Sequence, residues 1–153
     1  MESKIAGKLK PLDYDPDYFE SEPYPIPYFN NKKLKIGFVE ALYESYLSGA
    51  DRVLENFLKL DTSEKFKDSK IVYDYYDEVL LFGYTENLNI KTVEDIWNFV
   101  YPSEIIIDSD ENGIFYLCVS CGCIWEEEHG LQLVFKEGLT LTRASGHDGA
   151  YSD

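Results

Sequence analysis

From Pro102 onward the apolar residues of this chain recur at every second position, and this period constrains the fold more than any other feature. A period of two sends alternate side chains to opposite faces of a sheet. Residues 104–108 therefore read as a strand, Asn112-Gly113 as a two-residue hairpin turn, and residues 114–125 as a long strand. Phe115, Leu117, Val119, Cys121, Cys123 and Trp125 share one face of it, the face expected to meet the helices. The chain then turns through Glu126-Glu127-Glu128-His129-Gly130, returns as Leu131-Gln132-Leu133-Val134-Phe135, and turns again at Glu137-Gly138 into residues 139–143. The pattern predicts a four-stranded antiparallel meander.

Upstream the period is helical. Ala50, Val53, Leu54, Phe57 and Leu58 form one apolar stripe within residues 40–60. Asp61 with Glu64 three residues later resembles a helix start, and Val72, Tyr75, Tyr76, Val79 and Leu80 repeat the stripe before Gly83. These two helices are expected to form a hairpin. Thr92 with Asp95 can cap a short third helix carrying Val93, Ile96, Trp97 and Val100, which ends before Pro102. Residues 11–29 mix Pro11, Pro16, Pro23, Pro25 and Pro27 with six aromatic rings, a composition that forbids a regular helix and predicts an extended arm, followed by a short strand at residues 34–38. The whole reads as α+β: a helical hairpin plus a short third helix packed on a C-terminal four-stranded antiparallel meander. A single domain over residues 1–153 is expected, with residues 1–26 the Pro/Tyr-rich arm, 27–100 the mainly helical half and 101–153 the sheet.

Charge is uneven along the chain. The formal net charge is −15; residues 1–35 contribute zero, 36–100 contribute −7 and 101–153 contribute −8. Aromatics at 16% are too many for a disordered acidic chain, so the acidity coats a folded body. Such a surface repels phosphate backbones and anionic lipid heads, which argues against nucleic acid and membrane as partners and for a basic protein or a cation. Solubility alone is an equally plain use of the charge. No apolar run reaches the roughly 18 residues of a membrane span, Met1-Glu2-Ser3-Lys4-Ile5 lacks a signal-peptide core, and three cysteines crowded at Cys118, Cys121 and Cys123 suit free thiols in a reducing compartment. A cytoplasmic location is expected.

Three constellations invite chemistry. Asp108-Ser109-Asp110-Glu111-Asn112-Gly113 matches the first half of a calcium loop, but Val119 stands where the bidentate glutamate is needed and a strand follows. Cys118 points away from Cys121 and Cys123 on a strand, so the three thiolates cannot converge on zinc, and His129 and His147 join them only if the sheet bends. His129 beside Glu128, and Glu126 with Glu128, suggest acid–base work. No nucleophile elbow or phosphate loop accompanies them, however. The residues predict neither enzyme, cofactor nor resident metal.

Ser103-Glu104-Ile105-Ile106-Ile107, the strand ending in Trp125-Glu126-Glu127-Glu128-His129-Gly130-Leu131, then Phe135-Lys136-Glu137-Gly138, Leu141-Thr142-Arg143 and Asp148-Gly149 together resemble a family of small acidic bacterial proteins of unassigned function. Pro27-Tyr28-Phe29, Glu55-Asn56-Phe57-Leu58 and Ile96-Trp97-Asn98-Phe99 extend the resemblance over residues 27–150. Ala150 departs from the pattern, in which a histidine is expected after Asp148-Gly149. Such proteins are similar in size and acidity to the immunity proteins of interbacterial toxin systems. The resemblance implies a cytoplasmic inhibitor that binds a basic cognate toxin without catalysis. The partner-binding residues expected are Asp108, Asp110 and Glu111 in one turn and Glu126, Glu127, Glu128 and His129 in another, at opposite ends of the long strand. A small calcium- or zinc-binding regulatory domain and an inert structural protein are the alternatives.

Overall fold

The computed structural model describes residues 1–152. Among these, nine strands join in one mixed sheet: β1 (Glu2–Ser3), β2 (Gly7–Leu12), β3 (Asp15–Ser21), β4 (Tyr24–Ile26), β5 (Lys32–Phe38), β6 (Val100–Ser109), β7 (Phe115–Cys123), β8 (Leu131–Lys136) and β9 (Thr140–Ser145). Their order is β1-β2-β3-β5-β6-β7-β8-β9, with β4 sharing the edge of β5 that β3 also uses. This overturns the expected α+β division. The C-terminal strands do pair as an antiparallel meander, but the N-terminal third supplies five more strands, and β5 pairs in parallel with β6, Phe38 opposite Ile107.

The strands of the N-terminal arm escape a period-two reading because their prolines interrupt it. Pro11 pairs with Phe19, whereas Leu12 pairs with Asp15, so Pro16, Asp17 and Tyr18 form a bulge in which a missing N–H costs no ladder bond. Pro25 lies on β4, a short edge segment. The join between β3 and β4 is bridged by a side chain, since Ser21 Oγ accepts from Ile36 N at 3.1 Å. Tyr18 lies over Gly37, where an added Cβ would stand 1.8 Å from the phenol oxygen, so any larger residue would have to push that ring aside.

The helical hairpin is also corrected. Among the described residues three α-helices, α1 (Glu44–Leu58), α2 (Thr62–Lys67) and α3 (Ser69–Leu81), with two 3-10 segments, Pro27–Phe29 and Val93–Phe99, form the cover. Helix α1 lies against β7, whereas α3 packs on Val93–Phe99 and β9, so each helix finds the sheet rather than the other helix. Their stripes are not paired because the sheet is wide enough to seat both. Asp61 caps α2 through Ser63 N at 2.9 Å, and Asp68 interrupts the long second helix that the apolar stripe predicted. Thr92 and Asp95 do form a capping box, but the seven residues that follow wind as 3-10 helix.

The core lies between the helices and one face of the sheet. Tyr28, Phe57 and Phe135 cluster with ring centroids 4.7–5.7 Å apart in tilted and edge-on pairs, and Trp97 meets Tyr28 edge-on at 6.0 Å. Both polar ends are satisfied: Tyr28 Oη donates to Asp68 at 2.9 Å, and Trp97 Nε1 donates to Ser69 Oγ at 2.9 Å. Leu117, Val119, Cys121 and Cys123 of β7 face this core, whereas Tyr116, Cys118 and Val134 form a small cluster on the opposite face. That outer face is covered by the C-terminal tail. Tyr151 stacks on Tyr116 at 5.6 Å, and Gln132 donates to Ala150 O at 2.7 Å and accepts from Gly149 N at 3.3 Å. No helix among the described residues is long and apolar enough to cross a membrane.

Candidate functional site

The parallel pairing of β5 and β6 brings their carboxyl ends to one end of the sheet, where open α/β sheets commonly leave a crevice. The chain builds one here. After Phe38, a turn anchored by buried Ala41 hydrogen-bonds Tyr43 N to Glu40 O at 3.0 Å and pushes Leu42 and Tyr43 outward, 57% and 66% exposed. Tyr46, in the first turn of α1, ties the two strand ends together: its hydroxyl accepts from Val39 N at 2.9 Å and donates to Ile107 O. Burial pushes the pKa of this phenol upward, so it remains protonated and serves as a fastener.

Two adjoining cavities share Glu40 and Tyr43. One, of about 570 Å3, is lined by Asp15, Asp17, Val39, Glu40, Leu42 and Tyr43. The other, of about 420 Å3, runs from Glu40 and Tyr43 past Ser45 and Tyr46 to Ser109, Gly113 and Phe115. Segments 13–17, 38–46 and 108–116 meet at this end, and together they hold eight acidic residues and no lysine or arginine. On β3 the phenol of Tyr18 has its pKa pushed upward by burial first and then by Glu104 and Glu20.

The structure separates the predicted site residues by the length of β7. At the carboxyl end, Asp110 is committed to its own turn: Oδ1 accepts from Asn112 N at 2.9 Å and Ile114 N at 3.0 Å. With Gly113 N bonded to Asp110 O and Gly113 at φ 79°, the connection is a three-residue loop ending in a left-handed glycine, not the two-residue Asn-Gly turn predicted. The Asp110 carboxylate won over the shorter turn by satisfying two amides. Asp108 accepts from Ser109 N at 2.8 Å and from the Tyr151 hydroxyl at 3.0 Å, so of this trio only Glu111 is exposed and unengaged among the described residues. At the far end, Glu126 Oε1 accepts from His129 N at 3.2 Å with His129 Nδ1 3.4 Å away, while Glu127 and Glu128 extend into solvent. The turn closes through Gly130 N to Glu126 O at 2.9 Å.

Metal chemistry finds no shared seat. Cys118 lies on the outer face, Cys121 and Cys123 on the core face, and all three are buried free thiols; burial pushes Cys118 and Cys123 up to about 12. Among the described residues no three His, Cys, Asp or Glu side chains stand where one ion could join them. What sequence reasoning missed is the cleft itself. Glu40, Leu42 and Tyr43 fall between a strand and a helix in neither period, and their signal was two large apolar residues flanked by Glu40 and Glu44 at an element boundary.

No curated protein and no solved structure matches the chain. Residues 8–151, from β2 through the tail that crosses the outer face, match the family described as a domain of unknown function, DUF6985, and the chain belongs to that family.

Proposed function

We propose that this protein is a non-catalytic cytoplasmic inhibitor of the immunity type, which neutralises a basic cognate toxin by binding it. The observation that carries the reading is the carboxyl end of the sheet, where three loops with eight acids and no base surround an exposed apolar pair, Leu42 and Tyr43. Acidic side chains steer a basic partner from a distance, and exposed aromatic and aliphatic groups supply short-range energy once it arrives. The buried phenols and thiols held protonated offer no activated nucleophile, which favours occlusion over chemistry.

The test is co-expression with the product of the adjacent gene. A stable complex is expected whose association slows steeply as salt rises from roughly 50 to 500 mM, because screening shortens the reach of the charges. Reversing Glu126, Glu127 and Glu128 to lysine would slow association if the far turn contributes, and would leave it unchanged if the carboxyl end acts alone. A partner that is itself acidic, or association insensitive to salt, would sink the electrostatic reading.

A further inference from the structure

We infer that the groove between the 13–17 hairpin and the 39–44 turn seats an extended, lysine- or arginine-bearing segment of the partner protein; this rests on the basic-partner reading above. The groove joins an acidic lining to an apolar wall. Leu42 and Tyr43 stand on one side, half-buried Val39 contributes to the lining, and Asp15, Asp17 and Glu40 line the rest. Tyr14, 87% exposed, crowns the hairpin that carries Asp15 and Asp17. A long basic side chain matches this combination: its methylenes lie along Leu42 and Val39, and its charged head reaches carboxylates or the face of a tyrosine ring. The volume of about 570 Å3 is within the range that binding clefts use.

Charge decides between this groove and its rivals. The 126–129 turn is acidic, but Lys32 stands at the same end of the sheet, donating to Pro102 O at 3.0 Å, so the charge at that end is mixed. Exposed Leu81 at the end of α3, with Phe82 and Tyr84 just after it, forms an apolar patch, yet Phe82 and Tyr84 already stack on each other at 6.2 Å. The three acids of the groove form no ion pair among the described residues, and no lysine or arginine occurs in either segment that builds it. A cation entering there displaces no internal cation; Asp15 Oδ1 accepts only from Asp17 N, at 3.2 Å.

The experiment titrates the isotopically labelled full chain with a synthetic peptide alternating lysine and leucine, and with a control alternating glutamate and leucine. Amide shifts are expected at residues 13–17 and 39–44 with the basic peptide and not with the acidic one. Two variants sharpen the map: Glu40→Lys with Asp17→Lys, and Leu42→Ser with Tyr43→Ser, each expected to weaken the basic peptide about tenfold or more at unchanged melting temperature. Glu127→Lys with Glu128→Lys should alter it by less than about twofold, since that turn lies outside the groove. Shifts centred on residues 124–130 or 81–86, or equal losses in all three variants, overturn the groove while leaving the basic-partner reading intact. If the basic peptide does not bind and the co-purified partner proves acidic, both fall together.

Discussion

The two faces of β7 are buried by different means. On the inner face, Leu117 and Val119 are fully buried under helices that bring a continuous apolar core, whereas Tyr116 and Cys118 on the outer face, with Val134 of β8 beside them, are covered by a few residues of tail held largely by polar contacts. Gln132 grips the tail at two points, Tyr151 stacks on Tyr116 and bonds Asp108, and Arg143 pairs with Asp148 at 2.7 Å. The difference teaches that one strand can carry the stability of the domain on one side and a comparatively detachable cover on the other. Apolar burial adds up with area, while each polar clamp contributes only about 0.5–1.5 kcal/mol net.

Substitutions on the two faces test that contrast. Leu117→Ala is expected to cost about 2–5 kcal/mol by chemical denaturation, as a cavity opens in a core that cannot collapse. A loss no greater than that of an outer-face variant would mean that the faces are equivalent. Gln132→Ala should cost about 1–3 kcal/mol by leaving the Ala150 carbonyl and Gly149 amide unmatched, and it should speed hydrogen exchange in residues 146–152 without reaching the β7 amides. Uniform acceleration across both regions would show the tail to be integral to the core.

Acid offers a gentler probe of the outer face. The Ala150 N–H, followed by the nearby Arg143 guanidinium, holds the Asp148 carboxyl below the ordinary carboxylate range. A depressed folded-state pKa contributes stability that is present above the unfolded value of about 3.9 and is lost as pH falls through the folded one. Exchange at Gly149 and Ala150 should therefore rise below about pH 4 before the inner face responds, and Asp148→Asn should remove that step. An acid response of the same size in Asp148→Asn would assign it elsewhere. Smallest of all is Ser120→Ala, which removes one hydroxyl 3.1 Å from exposed His147 and should change stability by less than about 0.5 kcal/mol. A larger loss would reveal that the Ser120–His147 contact, and not Gln132, anchors the tail.

Periodicity made the meander legible because both faces of β7 are buried yet chemically distinct, and the odd-numbered positions from Phe115 to Cys123 could point only one way once the helical stripes needed a surface. The acidic turns were legible as charge but not as geometry. Asp110 and Glu111 are adjacent and alike in sequence, and only the backbone path showed that one closes its own loop while the other is exposed. The same holds at the far turn, where Glu126 folds back onto His129 and its two neighbours do not.

Local information therefore determined the strands β7 and β8, the helix caps at Asp61 and Thr92, the strand direction through the glutamate turn and the sign of the surface. Tertiary structure decided the parallel pairing of β5 with β6, the recruitment of the proline-rich arm into the sheet, and the cleft that unites segments 13–17, 38–46 and 108–116. The reason is physical. Caps and alternation are set by neighbours within a few residues, whereas strand partners separated by some seventy positions, Phe38 and Ile107 among them, are chosen by which edges and apolar faces remain unsatisfied when the whole chain collapses.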